Sequence, residues 1–174
     1  MNVVLHICCG VCATGAVDSL RAEGYQVTGL FYNPNIYPVA EYQRRLKAAR
    51  IVAGKLDFPL VIPPYRPQEW YKAVASVENE PEGGRRCAVC FDLRLTMTYQ
   101  YMLEQGFDAF TTTLTVGPRK SAVVVNRVGR EIGGERFLAR NFKKRGGFTR
   151  AVELAKKWAL YRQDYCGCKY SLRG

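Results

Sequence analysis

The 174-residue chain has one histidine, no apolar run near the roughly 20 residues of a membrane-spanning helix, and no repeat, low-complexity tract or long linker. These absences exclude a helical membrane protein, a solenoid and a string of tethered domains. The length suits one core, so residues 1–174 are expected to form a single domain with a C-terminal cysteine tail. Met1 to Ile7 leads directly into a cysteine motif and not through a signal-peptide apolar stretch, so a cytoplasmic protein with no membrane partner is expected. Acidic residues are scarce: 15 Asp and Glu face 26 Lys and Arg, for a net charge of +11. Such a balance favours a polyanionic partner.

Stray cysteine is also lacking. All seven cysteines fall into three motifs, Cys8-Cys9-Gly10-Val11-Cys12, Cys87-Ala88-Val89-Cys90 and Cys166-Gly167-Cys168. Grouping beside glycine or a helix start points to coordination or redox chemistry, not to small core hydrophobes. In a reducing compartment thiols persist as thiols, metal ligands or transient disulfides. An odd number cannot all pair, and neighbouring alpha carbons about 3.8 Å apart lie below the roughly 4.4 Å limit of ordinary disulfides, so a Cys8–Cys9 bridge is disfavoured.

Cys9 and Cys12, and again Cys87 and Cys90, are three residues apart, which places each pair of sulfurs on one helical face. Helix amino termini, together with Arg85 and Arg86, favour the thiolate that a ligand or nucleophile requires. Four thiolates suit zinc or a four-iron cluster, and three leave one iron open. The surplus thiols indicate either a second metal or a redox pair that feeds the first. Gly10 and Gly167 are expected to admit the backbone close to a bulky group. His6 is a candidate ligand or acid, against the plainer reading of a satisfied buried imidazole. Tyr161, Tyr165 and Tyr170 surround the last motif as candidate proton donors or as packing.

Hydrophobic spacing predicts strands at Asn2–Ile7, Tyr25–Tyr32, Phe58–Ile62 and Phe107–Thr113. Helices are expected near 13–23, 42–56, 69–76, 87–105, 120–132 and 148–162. This alternation defines an α/β fold with a parallel sheet covered by helices on both faces. Ligands of such sheets bind beyond the carboxyl ends of the strands where strand order reverses. The first cysteine motif and the loop Leu114-Thr115-Val116-Gly117-Pro118-Arg119-Lys120 would frame one pocket if strands one and four are neighbours. A basic stretch, Arg136, Arg140, Lys143, Lys144, Arg145 and Arg150, is interleaved with Phe137, Phe142 and Phe148. Basic groups grip phosphates and aromatics stack on unpaired bases, although the phenylalanines could equally tuck into the core.

The order His6-Ile7-Cys8-Cys9-Gly10-x-Cys12-Ala13, Asn33-Pro34-Asn35-Ile36 with Glu41-Tyr42 and Arg44, and Arg86-Cys87-x-x-Cys90 with Arg94-Leu95 resembles the QueH epoxyqueuosine reductases. Thr111-Thr112-Thr113-Leu114, Pro118, Lys120, Leu160-Tyr161-Arg162-Gln163 and Tyr165-Cys166-Gly167-Cys168-x-Tyr170-Ser171 extend the likeness over nearly the whole chain. The resemblance implies a sheet like that of adenine-nucleotide alpha hydrolases (the HUP fold). The implied reaction is two-electron removal of the epoxide oxygen from epoxyqueuosine at the tRNA wobble position. It also implies a 4Fe-4S cluster, no cobalamin, and an electron donor that the sequence does not identify. Cysteines stand where such hydrolases carry a phosphate loop, so ATP use is not expected.

On this reading all seven cysteines, Cys8, Cys9, Cys12, Cys87, Cys90, Cys166 and Cys168, are metal ligands. Arg94, Lys120, Lys143, Lys144 and Arg145 are substrate contacts. The opposite facing of adjacent Cys8 and Cys9 at an extended strand end motivates an expected division that gives Cys9, Cys12, Cys87 and Cys90 to the cluster and Cys8, Cys166 and Cys168 to a second metal ion, iron, with a three-cysteine cluster as the alternative. The alternative is a zinc-stabilised tRNA-binding or sulfur-transfer protein.

Overall fold

The computed structural model describes residues 1–117 and 120–172, with position 145 described by its backbone alone. The expected contacts of the Arg145 side chain, and the Pro118-Arg119 step of the loop, lie outside the described residues. In chain order the elements are β1 (Asn2–His6), α1 (Gly10–Ala22), β2 (Gln26–Leu30), α2 (Val39–Leu56), β3 (Leu60–Val61), α3 (Pro67–Val74), α4 (Arg85–Gln105), β4 (Ala109–Thr112), α5 (Ala122–Gly133) and α6 (Gly147–Lys157). The four strands form one parallel sheet in the order β3-β2-β1-β4.

β1 is flanked on both sides, and Val3, Val4, Leu5 and His6 are all fully buried. That burial explains why its sequence is continuously apolar instead of alternating. Strand order runs one way from β1 to β2 and β3 and the other way to β4. Right-handed crossovers therefore place α1 and α2 on one face and α4 on the other. Packing agrees, with α1 against α2 and α6, and α4 against α3 and α5. The reversal at β1 opens a crevice beyond the carboxyl ends of β1 and β4, where the first cysteine motif and the Thr113–Gly117 loop meet.

Several boundaries differ from the sequence expectation for local reasons. Helix α1 begins three residues before Ala13 because Cys9 caps it, its sulfur accepting from the Cys12 amide at 3.4 Å. Helix α6 stops at Lys157, five residues before Arg162. There Ala159 turns left-handed (φ 51°), its amide bonds the Lys156 carbonyl at 3.2 Å, and the Leu160 amide bonds the Ala155 carbonyl at 2.8 Å. This paired 5→2 and 6→1 closure is the usual helix stop, but it uses alanine where glycine is common, so the sequence carries no marker. Residues beyond α6 are thereby released to cross the sheet's edge as an irregular tail.

Candidate thiol-lined site

The end of β1 and the start of α1 bring the Cys8, Cys9 and Cys12 sulfurs within 4.8 Å of one another, all buried. Cys9 Sγ and Cys12 Sγ are 2.8 Å apart, while Cys8 Sγ lies 3.2 Å from the Thr113 hydroxyl after β4. Hydrogen bonding from Cys12 and Cys9, helped by Lys120, holds the Cys8 thiol well below its ordinary range despite burial. The same contacts act oppositely on its neighbours. Cys12 pulls Cys9 down, but Cys8 and burial outweigh it and push Cys9 up to about 12; Cys12 itself is raised by Cys8, Cys9 and burial. Three thiols this close share one negative charge unless a cation compensates the rest.

The other four cysteines line a second place. Cys87 and Cys90 from the first turns of α4 face Cys166 and Cys168 across a cavity of about 110 Å³, which Asn35, Trp70, Arg86, Arg94 and Lys120 also line. The Cys166 and Cys168 sulfurs are 4.0 Å apart. Hydrogen bonding with Cys168 brings Cys166 down to about 4, with Ser171 and Lys120 assisting, whereas Cys168 is raised by Cys166 and by burial. Burial also raises Cys87. The thiols are thus grouped as Cys8, Cys9 and Cys12 on one side and Cys87, Cys90, Cys166 and Cys168 on the other. This differs from the expected division, because Cys8 and Cys9 point into the same space once Cys9 becomes a helix cap. All seven are free thiols.

A buried clamp on α2 fixes the tail. Arg45 is 2 % exposed and donates from Nε to Glu41 at 2.8 Å, from Nη1 to the Cys166 carbonyl at 3.0 Å and from Nη2 to the Tyr165 carbonyl at 2.9 Å. Glu41 also accepts from Arg44 and from the Tyr161 hydroxyl. Burial works to raise the Glu41 carboxyl, but Tyr161 and Arg45 override it and hold the group below its usual range. The Tyr37 amide donates to the Gly167 carbonyl at 2.8 Å. Gly167 has φ 123°, and a Cβ there would come 2.9 Å from Arg45 Nη1. Both glycines lie against α2 or the segment before it: Gly167 faces the side chains of Arg45, Asn35 and Ile36, and a Cβ on Gly10 would come 2.6 Å from the Ala48 carbonyl of α2.

A larger cavity, about 190 Å³, lies against Cys12 and Cys166, with Val11, Val116, Phe148, Ala151, Lys120 and Arg162 among its lining residues. Lys120 and Cys166 belong to both cavities and form the wall between them. Among the described residues, neither Lys120 nor Arg162 has a carboxylate within ion-pair distance.

The remaining candidates divide. Arg94 is buried, donates to the Cys90 carbonyl and to Asn33 Oδ1 (3.4 Å each), and lines the four-thiol cavity. Lys143 spends its ammonium on the Lys120 carbonyl, and burial followed by Lys120 lowers it. Lys144 is exposed on a groove beside α1, away from the thiols. Much of the basic stretch is structural: Arg136 caps the Phe107 and Asp108 carbonyls, Arg140 pairs with Glu23 and Arg150 with Asp18. Phe137 and Phe142 are core residues, and only Phe148 of the three is exposed, at 39 %.

His6 is a satisfied core histidine. Its Nε2 donates to the Tyr32 carbonyl (3.0 Å) and Asn33 Oδ1 (3.2 Å), while Nδ1 accepts from Thr112 (2.9 Å). Burial first, then Arg94, lowers it to about 4, so it is neutral near pH 7. The three tail tyrosines are engaged with Glu41, the Tyr37 carbonyl and Glu78. The sequence pattern does not single out Arg45, Glu41 as a buried charge, or Trp70, and it marks Arg162 as part of a motif without a site role. The i, i+4 spacing of Glu41 and Arg45 was the available signal for the clamp.

The fold and site define a parallel α/β protein whose ligand-binding edge is built from thiols. The Epoxyqueuosine reductase QueH family model matches residues 3–174, and the chain belongs to this family. It is 35 % identical over 181 residues to Epoxyqueuosine reductase QueH of Streptococcus pyogenes, covering 99 % of this chain and 71 % of that protein. It is 34 % identical over 177 residues to the Thermotoga maritima protein of the same name, covering 98 % and 90 %. Among solved structures, a predicted subunit of tRNA methyltransferase from Methanocaldococcus jannaschii superposes with a TM-score of 0.59 at 14 % identity, covering 90 % of this chain and 74 % of that one, which supports the fold alone. Among the described residues no helix is long and apolar enough to cross a membrane.

Proposed function

We infer that the chain reduces epoxyqueuosine in tRNA to queuosine, an oxidoreductase reaction that takes two electrons and two protons and releases the epoxide oxygen as water. Membership of the reductase family supports this reading, and the carrying observation is the seven thiols gathered at the sheet edge where ligands of this fold bind. The donor set fits a soft-metal cofactor. Three buried sulfurs share one charge, and four more surround a cavity, an arrangement suited to iron or zinc and poorly suited to hard cations. Bound to these thiolates, a 4Fe-4S cluster would supply single electrons, and a second iron ion would supply Lewis acidity.

The protein's own groups do the rest. The modified base enters the larger cavity, where Val11, Val116, Phe148 and Ala151 provide apolar walls and Lys120 and Arg162 meet flanking phosphates. Lys120 stands in the wall beside Cys12 and Cys166 and lines both cavities. The net charge of +11 suits a tRNA substrate. We place the protein in the cytoplasm and leave the electron donor as an unidentified reductant.

Anaerobic purification with analysis of iron, zinc and acid-labile sulfide tests the reading. Iron with sulfide supports it. Zinc alone would instead indicate a zinc-stabilised tRNA-binding or sulfur-transfer protein.

A further inference from the structure

Four buried side-chain polar atoms have no hydrogen-bond partner among the described residues: Asn35 Oδ1, Trp70 Nε1, Arg86 Nε and Asn126 Oδ1. Three of these residues, Asn35, Trp70 and Arg86, line the one cavity that also holds Cys87, Cys90, Cys166 and Cys168. Buried polar atoms without a partner are rare in native proteins, and a cluster of them marks a place where a ligand or water completes the bonding; here Asn35 Oδ1 is an acceptor, while Trp70 Nε1 and Arg86 Nε are donors. The two donors are fixed. Trp70 is 1 % exposed, sits in a small core cluster with Cys90 and Cys168, and packs at 5.4 Å and 5.9 Å against the rings of Tyr71 and Tyr170.

Arg86 is 4 % exposed. Its Nη1 bonds the Glu78 and Glu80 carbonyls, and its guanidinium lies 5.2 Å from the Tyr170 ring. That anchoring uses the far end of the fork and leaves Nε over. An indole N–H can only donate, and so can Arg Nε, so the occupant of the cavity must supply acceptors. Sulfur atoms held by the four cysteines are the acceptors at hand.

We propose that Trp70 and Arg86 donate N–H hydrogen bonds to sulfur atoms of the group held by Cys87, Cys90, Cys166 and Cys168, and so set its reduction potential. This rests on the iron–sulfur reading above. N–H donors stabilise the more negative, reduced form, so their effect is to raise the potential. Trp70 and Arg86 act as tuning residues; they need not touch the substrate.

The test uses anaerobically prepared protein carrying its iron and sulfide, as wild type, Trp70→Phe, Arg86→Lys and the outlying Trp158→Phe. Each is measured for iron and sulfide content, for midpoint potential by EPR-monitored titration, and for exchangeable-proton couplings by pulsed EPR in light and heavy water. Trp70→Phe should keep its iron and sulfide, show a lower midpoint and lose one exchangeable coupling. Arg86→Lys should also lower the midpoint, and Trp158→Phe should match wild type. A Trp70→Phe protein with wild-type content and wild-type potential overturns the proposal. If that variant does not take up iron, the wild-type spectra decide: absence of an exchangeable N–H coupling overturns it. A wild type that holds zinc without iron removes the underlying reading, which content analysis reports separately.

Discussion

The two groups of thiols are built in opposite ways. Cys8, Cys9 and Cys12 come from five consecutive residues and inherit their placement from the central strand, a helix cap and the loop after β4. Cys87 and Cys90 meet Cys166 and Cys168 only because a tail more than 70 residues distant is held down by Arg45, Tyr37 and Gly167. Local construction makes the first group stiff, and the tail adds to it a hydrogen bond from the Gln163 side chain to Cys9. Long-range construction makes the second depend on the Arg45 clamp and on the bonds between Tyr37 and the tail. A cofactor bound by the second group would in turn lend stability to the tail, since binding that requires the folded arrangement favours it.

The largest expected effect comes from breaking the clamp. Arg45→Met removes the buried partner of Glu41, leaving it the exposed Arg44 and the Tyr161 hydroxyl, and frees the Tyr165 and Cys166 carbonyls, which should destabilise the protein by about 3 kcal/mol. Urea denaturation measures this loss, and iron content should fall while the Cys8, Cys9 and Cys12 thiols remain protected from alkylating reagents in the native state. Equal loss of protection in both groups would break the comparison.

The support beneath the first group is pH-sensitive. His6 is lowered from 6.5 to about 4, so proton binding favours the unfolded chain. Stability is full above pH 6.5, declines as the pH falls toward about 4, and changes no further from this group below that. At 1.36 kcal/mol per unit the loss is about 3 kcal/mol. Urea midpoints across this range should show the decline, and His6→Gln should flatten it.

Gly10→Ala drives a methyl group into the Ala48 backbone, a contact of 2.6 Å. It should cost about 1–3 kcal/mol, read as a lower thermal midpoint, with the first thiol group more exposed to alkylation. The smallest effect is a gain. Ala159 sits at φ 51°, so Ala159→Gly relieves a left-handed alanine ahead of the tail and should stabilise by about 1 kcal/mol. The gain should appear in urea denaturation without a change at Cys8, Cys9 or Cys12.

The sequence makes the α/β alternation, the switch point at β1 and β4, and all seven candidate ligands legible. Hydrophobic spacing and motif order encode those directly. The grouping of the thiols was hidden because it depends on the tail's route past α2, which no local pattern records. Two helix ends escaped for specific reasons: a cysteine sulfur caps α1, and an alanine takes the turn that glycine usually marks at α6. The basic stretch read as one surface, yet Arg136, Arg140 and Arg150 are occupied and Phe137 and Phe142 face the core. Phe148 keeps its exposure because it lies in the first turn of α6, against the larger cavity.

The central claim is reduction of a modified base in tRNA at this thiol-lined edge. Mass spectrometry of nucleosides from epoxyqueuosine-containing tRNA, incubated anaerobically with the iron-loaded protein and a strong reductant, tests it most directly. The account predicts that epoxyqueuosine is replaced by queuosine. Unchanged epoxyqueuosine, with iron and sulfide in place, would contradict it.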